Sequence, residues 1–363
     1  MKRKCKNVDI TDTAYITRCV MLCMSNKSMR AWEREDIAKY WHSHGDSSDR
    51  ITAELSREIR TRTVNFPAPR IRKAVDRSNA KERTITVEDI KNQYYNYIAK
   101  IALEELMPAI GEYQLACQVG KGPIWGAKVI KGWLNDRSIK YAVKADIRKC
   151  YPSITHENMM GYLRKRVKND DLLYLIGAIL GKMDEGLPIG SYLSITLCAL
   201  YLSQLYHHIG ETYFKTRRGV KKNMVSHVMF FLDDIYIFGK SANDLHKVMR
   251  GTAKYAESLG LTVKPTWSII SLNADDKNAH IDCMGYRIYR DHITMRHRDY
   301  IKTRKACRDF AKHPNIDSAR SMTAYHGLFI KHTDSFRFRK KYNVKRLFRR
   351  ARKVISEHDK SEV

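Results

Sequence analysis

The stretch "MFFLDDIYIFG" at residues 229–239 constrains this chain more than any other. It is an apolar run of strand-forming residues that nevertheless keeps two adjacent carboxylates, Asp233 and Asp234. An unpaired carboxylate is costly to bury. The pair therefore marks either an ordinary Asp turn between two strands or a site that needs both charges. A third carboxylate, Asp146, ends the strand-like "KYAVKAD", after which the chain breaks at Pro152. Alone, it reads as a strand-end cap. If the two strands are sheet neighbours, Asp146 and the hairpin tip converge and repel unless cations join them. Hard oxygen ligands select Mg²⁺ or Mn²⁺. Two such ions ~3.5–4 Å apart stabilise the attacking and leaving oxygens of an in-line phosphoryl displacement.

Charge narrows the partner. Lys and Arg number 67 against 39 Asp and Glu, a net charge of +28 over 363 residues. A chain this basic suits a polyanion. Because the cations run along most of its length, nucleic acid is favoured over a membrane surface. The eight cysteines are scattered without paired CxxC spacing, which argues for thiols in a reducing compartment rather than zinc ligands. His42, His44, His207 and His208 lack companions at ligand spacing and read as surface or capping residues. "MKRKCKNVDITD" leads into no apolar segment, so no signal peptide is expected. "SYLSITLCALYLSQLY" is too short and polar to span a bilayer and reads as a core helix. A cytoplasmic protein of two or three lobes, without membrane contact, is the expectation.

Residues 8–45 carry helical stripes, and 46–87 are polar and mixed, closing in a strand–turn–strand pattern over "PAPRIRKAVDRSNAKERTITV". Ile90, Tyr94, Ile98 and Ile101 recur at helical spacing. From residue 141 the order reads β–α–α–α–β–α–β, with helices on one face of a sheet. One helix spans 242–259, capped by Ser241 and stopped by Gly260. "LTVKPTW" and "IDCMGYRIYRDHITMRHR" read as further short strands, and the tail from 300 is helical and basic.

"ADIRKCYPSI", "GLPIGSYLSI" and "FFLDDIYIFG", in that order, resemble motifs A, B and C of reverse transcriptases. "LGLTVKP" is similar to motif D and "CMGYRI" to the primer-grip motif E. "AKERTIT" and "ACQVGKGPIWGAKVI" resemble the finger motifs, so the resemblance runs over roughly residues 65–345. It implies an α+β right-hand polymerase fold with fingers, a ferredoxin-like palm and a helical thumb. The expected division is a helical N-terminal extension (1–60), fingers (61–140), palm (141–288, with finger helices inserted at 155–183) and a basic helical thumb (289–363).

The resemblance also implies roles. Asp146, Asp233 and Asp234, with the Ile147 carbonyl, would hold two Mg²⁺ or Mn²⁺ ions. Tyr151 would be the gate beneath the incoming sugar, favouring dNTPs over NTPs. Lys81, Arg83 and Gly190 would contact the nucleotide, with Lys264 as the acid for the pyrophosphate. Pro188 and Ser194 would pack on template and nascent pair, and Cys283, Met284 and Gly285 would place the primer end. An RNA template, a DNA or RNA primer and dNTPs would be the partners.

The chain departs from the pattern at Phe231-Leu232 before the aspartates, at Ile195 after the motif B serine, at Gln118 where a finger arginine is usual, and at Trp267 where motif D commonly has lysine. Little follows the thumb, so no maturase, endonuclease or RNase H domain is expected. Ile189 and the segment "SMTAYHGLFIKHTDSFRFRKKY" resemble the reverse transcriptases of diversity-generating retroelements, which work with a small basic accessory protein in a bacterial or phage-infected cell. The alternative is a defence-associated enzyme using a dedicated noncoding RNA. Two rivals of other kinds are an inactive palm serving as an RNA-binding protein, disfavoured by the intact aspartates, and an RNA-templated RNA polymerase, disfavoured by Tyr151.

Overall fold

The computed structural model describes residues 3–27, 31–67, 70–76, 81–182, 185–326 and 333–361. The N-terminal region forms α1 (Thr13–Ser25), α2 (Ala31–Ser43) and α3 (Ser48–Arg60). A hairpin of β1 (Arg70–Asp76) and β2 (Lys81–Val87) follows, then α4 (Ile90–Ala102) and β3 (Gln114–Leu115). Helix α3 lies within the region expected to be helical, although its sequence is polar and mixed. Ile51, Leu55 and Ile59 recur every fourth residue, but Thr52, Ser56 and Glu58 share their buried face. Its acids meet Lys91 on α4, whose Nζ lies 2.8 Å from Glu54 Oε1 and 2.7 Å from Glu58 Oε1. That buried pairing lets a polar helix pack inside. Helices α1, α3 and α4 share one core with the helices that follow, so the N-terminal region is built into the body of the protein.

Next come α5 (Pro123–Trp133), β4 (Tyr141–Asp146), α6 (Cys150–Ser153), α7 (His156–Arg164), α8 (Asp170–Leu180) and α9 (Tyr192–Thr212). A hairpin of β5 (Phe214–Arg217) and β6 (Val220–Asn223) precedes β7 (His227–Phe231) and β8 (Asp234–Gly239). After α10 (Ala242–Ser258) come β9 (Ser268–Ser271), β10 (Ile281–Cys283), β11 (Tyr286–Ile288) and β12 (Ile293–Met295). The chain then runs through α11 (His297–Lys312), α12 (Ile316–His326), α13 (Phe336–Lys341) and α14 (Val344–Ser361), packed around their own core of Phe310, Met322 and Phe338.

The central sheet has strand order β3-β7-β8-β4-β9, antiparallel except for β3 with β7. Its period-2 alternation is strict. Val143, Ala145, Phe230, Ile235 and Ile237 face the core of α4, α8 and α9, whereas Ala142, Met229, Tyr236 and Phe238 face α5 and β10–β12. Both faces are therefore covered, which corrects the expectation of helices on one face only. Each fully buried aromatic on these strands contributes roughly 1.5–3 kcal/mol. Helix α10 begins at Ser241, whose Oγ accepts from Asp244 N, and stops before Gly260 at φ 74°. The strand expected at "LTVKPTW" is displaced to β9, leaving an isolated bridge between Val263 and Ile147. Among the described residues, no helix is long and apolar enough to cross a membrane.

Candidate active site

Strand β4 carries Asp146 at its end and β8 begins at Asp234, and the two residues are direct partners across the antiparallel pair. Phe231 pairs with Asp234, so Leu232 and Asp233 alone make the turn. Ile147 N donates to Asp233 O at 3.2 Å, tying the turn to the residue after Asp146. The three aspartates thus meet at one end of the central strands. Leu232 has φ 54°, a left-handed conformation that a bulky side chain adopts only under compensation. Its side chain lines an apolar hollow with Cys198, Leu202 and Phe230, which accounts for an aliphatic residue at this turn.

Electrostatics at the tip are unbalanced. Burial, and then Asp233, push the Asp234 carboxyl above the usual range; Lys144 opposes this and Asp146 adds to it. Tyr236 Oη donates to Asp234 Oδ2 at 3.3 Å. Lys264 Nζ lies 2.7 Å from Asp146 Oδ2, and Lys264 N donates to Asp146 O at 2.8 Å. Asp146 Oδ1 is buried with no hydrogen-bond partner. Lys144 and Tyr236 each lie two residues along a strand from an aspartate and so share its face, a period-2 spacing that is their one signal in the sequence. Trp267 packs edge-on against His246, leaving Lys264 as the cation of this segment at the carboxylates.

Tyr151 lies half-buried on α6, after a left-handed turn at Lys149 (φ 46°). Burial pushes its hydroxyl pKa up, followed by Cys198, Cys150 and the Asp233 charge, which puts the ring within electrostatic reach of the tip. Its carbonyl accepts from Leu187 N at 2.9 Å, fastening the "GLPIG" loop to α6. Gly186 (φ 73°) permits this contact, because a Cβ there would stand 2.6 Å from Pro152 Cα. The loop's far end is set by a buried chain. Ser191 Oγ donates to Asn96 Oδ1 at 2.8 Å, and Asn96 Nδ2 donates to Glu88 Oε2 at 2.7 Å. Gly190, at φ 104°, is exposed beside Ile189, Tyr192 and Ile195.

Other expected residues stand differently. Pro188 and Ser194 are buried, so on this helix start it is Ile189, Tyr192 and Ile195 that reach the surface. Cys283 is fully buried, which leaves Met284 and Gly285, the two-residue turn between β10 and β11, partly exposed. Both have positive φ, as a tight hairpin demands. Met284 packs against Gly126 on α5. Lys81 and Arg83 fall on β2, but their side chains lie outside the described residues. Gln118 turns inward, with Nε2 donating to the carbonyls of Gly111 and Gln114 at 2.9 Å, so it is a loop brace.

A family model described as reverse transcriptase (RNA-dependent DNA polymerase) matches residues 65–288, more than half the chain. The chain belongs to the reverse transcriptase family. It is also similar to an uncharacterized 91 kDa protein in the cob intron of Schizosaccharomyces pombe, 20% identical over 285 residues. That match covers 62% of this chain but only 35% of the relative, so the chain spans about a third of the relative's length. Among solved structures, a telomerase from Candida albicans in complex with a TWJ fragment of telomeric RNA aligns with TM-score 0.46 at 12% identity, covering 78% of this chain and 55% of that one.

Reverse transcriptases normally use divalent metal ions. The donors here fit one: hard carboxylate oxygens, a buried Asp146 Oδ1 lacking a partner, and an Asp234 charge destabilised by burial and by Asp233. As arranged, no three His, Cys, Asp or Glu side chains among the described residues are drawn together into a formed cation cage. The Lys264 ammonium stands on Asp146 instead.

Proposed function

We propose that the protein is an RNA-directed DNA polymerase that extends a primer on an RNA template with dNTPs. One observation carries this reading: Asp146 lies directly opposite Asp234, with Asp233 in the turn between their strands. In the reaction, the primer's 3′-hydroxyl oxygen bonds to the α-phosphorus of the dNTP. The bond to the bridging oxygen breaks, pyrophosphate leaves, and the hydroxyl proton passes to solvent water. Asp146, Asp233 and Asp234 would hold Mg²⁺ or Mn²⁺, two ions, which when bound neutralise charge on the attacking and leaving oxygens.

The chain's own residues do the positioning. Tyr151 closes the space beneath the sugar and excludes a 2′-hydroxyl. Gly190 and the surface of Ile189, Tyr192 and Ile195 pack beside the nascent pair, with Pro188 and Ser194 shaping the helix start from behind. Met284 and Gly285 support the primer end, and Cys283 anchors that turn in the core. Lys264 moves from Asp146 to the leaving pyrophosphate and donates a proton there. Lys81 and Arg83 meet the triphosphate. The divisions at 1–60, 61–140, 141–288 and 289–363 correspond in this reading to extension, fingers, palm and thumb.

Ile189 and the 321–342 segment favour a bacterial or phage diversity-generating enzyme, error-prone and working with a small accessory protein in the cytoplasm, over a defence-associated enzyme with its own noncoding RNA. The test is single-nucleotide incorporation on a primed RNA with dNTPs or NTPs. The wild type should prefer dNTPs, and Tyr151→Ala should lower the ratio of dNTP to NTP kcat/KM. A wild type that prefers NTPs would overturn the gate assignment.

A further inference from the structure

We infer that the β5–β6 hairpin, together with one face of α10, forms a second nucleic-acid surface that binds the backbone of folded RNA outside the copying cleft. The hairpin segment "FKTRRGVKKN" contains no acid. Lys215 lies directly opposite Lys222 across the pair, and Thr216 opposite Lys221. Like charges facing each other in a two-stranded ribbon are destabilising, and β6 is exposed along its whole length. Among the described residues, Lys215 reaches Asp244, but Arg218, Lys221 and Lys222 have no carboxylate within ion-pair distance.

The hairpin is nonetheless held firmly. At its base Tyr213 packs on Gly251 of α10, where a Cβ would stand 2.3 Å from the Tyr213 hydroxyl. His208 meets the Tyr213 ring edge-on and stacks on Tyr255 at 3.9 Å. Met224 N donates to Tyr213 O at 3.0 Å, closing the base. A ribbon docked at its base, with Arg218, Lys221 and Lys222 lacking carboxylate partners, is a pre-organised polyanion site.

Helix α10 extends it. Asp244, Lys247, Gly251 and Lys254 recur at i, i+3, i+7 and i+10 and so share one helix face. Asp244 and Gly251 touch the hairpin, which places the exposed Lys247 and Lys254 alongside it. The surface lies at the far end of the sheet from the aspartates. Strand β8 leaves Asp234 and runs six residues to Gly239, about 20 Å, with Ser226 N bonded to Phe238 O just after the hairpin. A chain engaging both sites must therefore extend beyond the copied segment. The exposed cations are mostly lysines, and the one aromatic on the ribbon, Phe214, is covered by Lys221 Nζ at 3.9 Å. With no free ring for base stacking, the surface reads phosphates, which suits the base-paired part of a folded RNA.

This choice of RNA rests on the polymerase reading. The test compares binding of three probes across a salt series: a short primed RNA confined to the cleft, the same RNA continued into a long stable RNA hairpin, and the same primed RNA joined to a DNA hairpin of that length. The triple variant Arg218→Glu, Lys221→Glu, Lys222→Glu should lose about tenfold or more in affinity for the RNA-extended probe and flatten its log–log salt slope by about 2–3. Its affinity for the short probe, and its extension of that probe, should match wild type. The double variant Lys247→Gln, Lys254→Gln should shift the same way by a smaller factor, which keeps the test valid if the triple variant melts early. Equal loss on short and extended probes, or no loss on either, overturns the inference. Equal wild-type affinity for the DNA-extended probe overturns the assignment to RNA. Failure of wild type to extend the short probe would count against polymerase activity and leave the binding comparison standing.

Discussion

Replacing Lys264 by methionine separates two consequences that usually travel together. The Lys264 ammonium lies 2.7 Å from Asp146 Oδ2, with the two side chains 41% and 33% exposed. An ion pair that open to solvent is worth about 1 kcal/mol or less. Methionine keeps the stem and removes the charge, so folding should change by less than about 1 kcal/mol. The same pair competes with any cation approaching that oxygen. Removing it should tighten divalent binding by up to about fivefold, the equivalent of 1 kcal/mol. Primer extension should nevertheless slow, because the variant would lack the proton donor proposed for pyrophosphate. The assay is Mn²⁺ binding by electron paramagnetic resonance without nucleotide, beside a urea melt and single-turnover extension. Tighter Mn²⁺ binding with slower chemistry supports the account. Unchanged or weaker Mn²⁺ binding refutes the competition.

Three further predictions concern the frame around the site. Against burial, which alone would raise it, hydrogen bonds from Lys91 and then His44 pull the Glu54 carboxyl down to about 2 from 4.5. The folded form holds its proton less tightly than the unfolded form. The resulting stability is therefore complete above pH 4.5 and lost as pH falls toward 2, and Glu54→Gln should flatten this acid limb of urea-melt stability. Lys91→Met, which strands Glu54 and Glu58, should destabilise by about 3–5 kcal/mol at neutral pH in the same melts. Gly186→Ala must both strain a positive φ and displace Pro152, so it should cost about 1–3 kcal/mol and raise the KM for dNTP, measured by melting and by steady-state incorporation.

What the residues disclosed in advance, and what they did not, follows from physics. The β7–β8 hairpin was legible because its apolar alternation brackets two turn-forming aspartates. The pairing of Asp146 with Asp234 was not in the periodicity; it needed the motif order as a guide to which strands are neighbours. The inward face of helix α3 was not legible because it is half polar, and the Lys91 pairing that allows its burial is supplied by a residue at least thirty positions away. The β5–β6 hairpin was missed for the opposite reason: it buries almost nothing, so it has no alternation to detect. The covering of the second sheet face by α5 and β10–β12 depends on long-range packing of short strands, which local spacing does not encode. At the site, the side chains that tune the aspartates, Lys144 and Tyr236, gave no signal except their period-2 spacing. The burial of Ser194 and Cys283 emerged only from the packing of α9 and of the β10–β11 turn.

The central claim is that the aspartate tip performs metal-assisted transfer of dNMP onto a primer. Extension of a primed RNA with dNTPs and Mg²⁺, comparing wild type with the double variant Asp233→Ala, Asp234→Ala, tests it most directly. Loss of several kcal/mol of charge stabilisation predicts a fall in rate of at least ~10³-fold in the variant, with folding intact by circular dichroism. Equal extension by the two proteins would contradict the account.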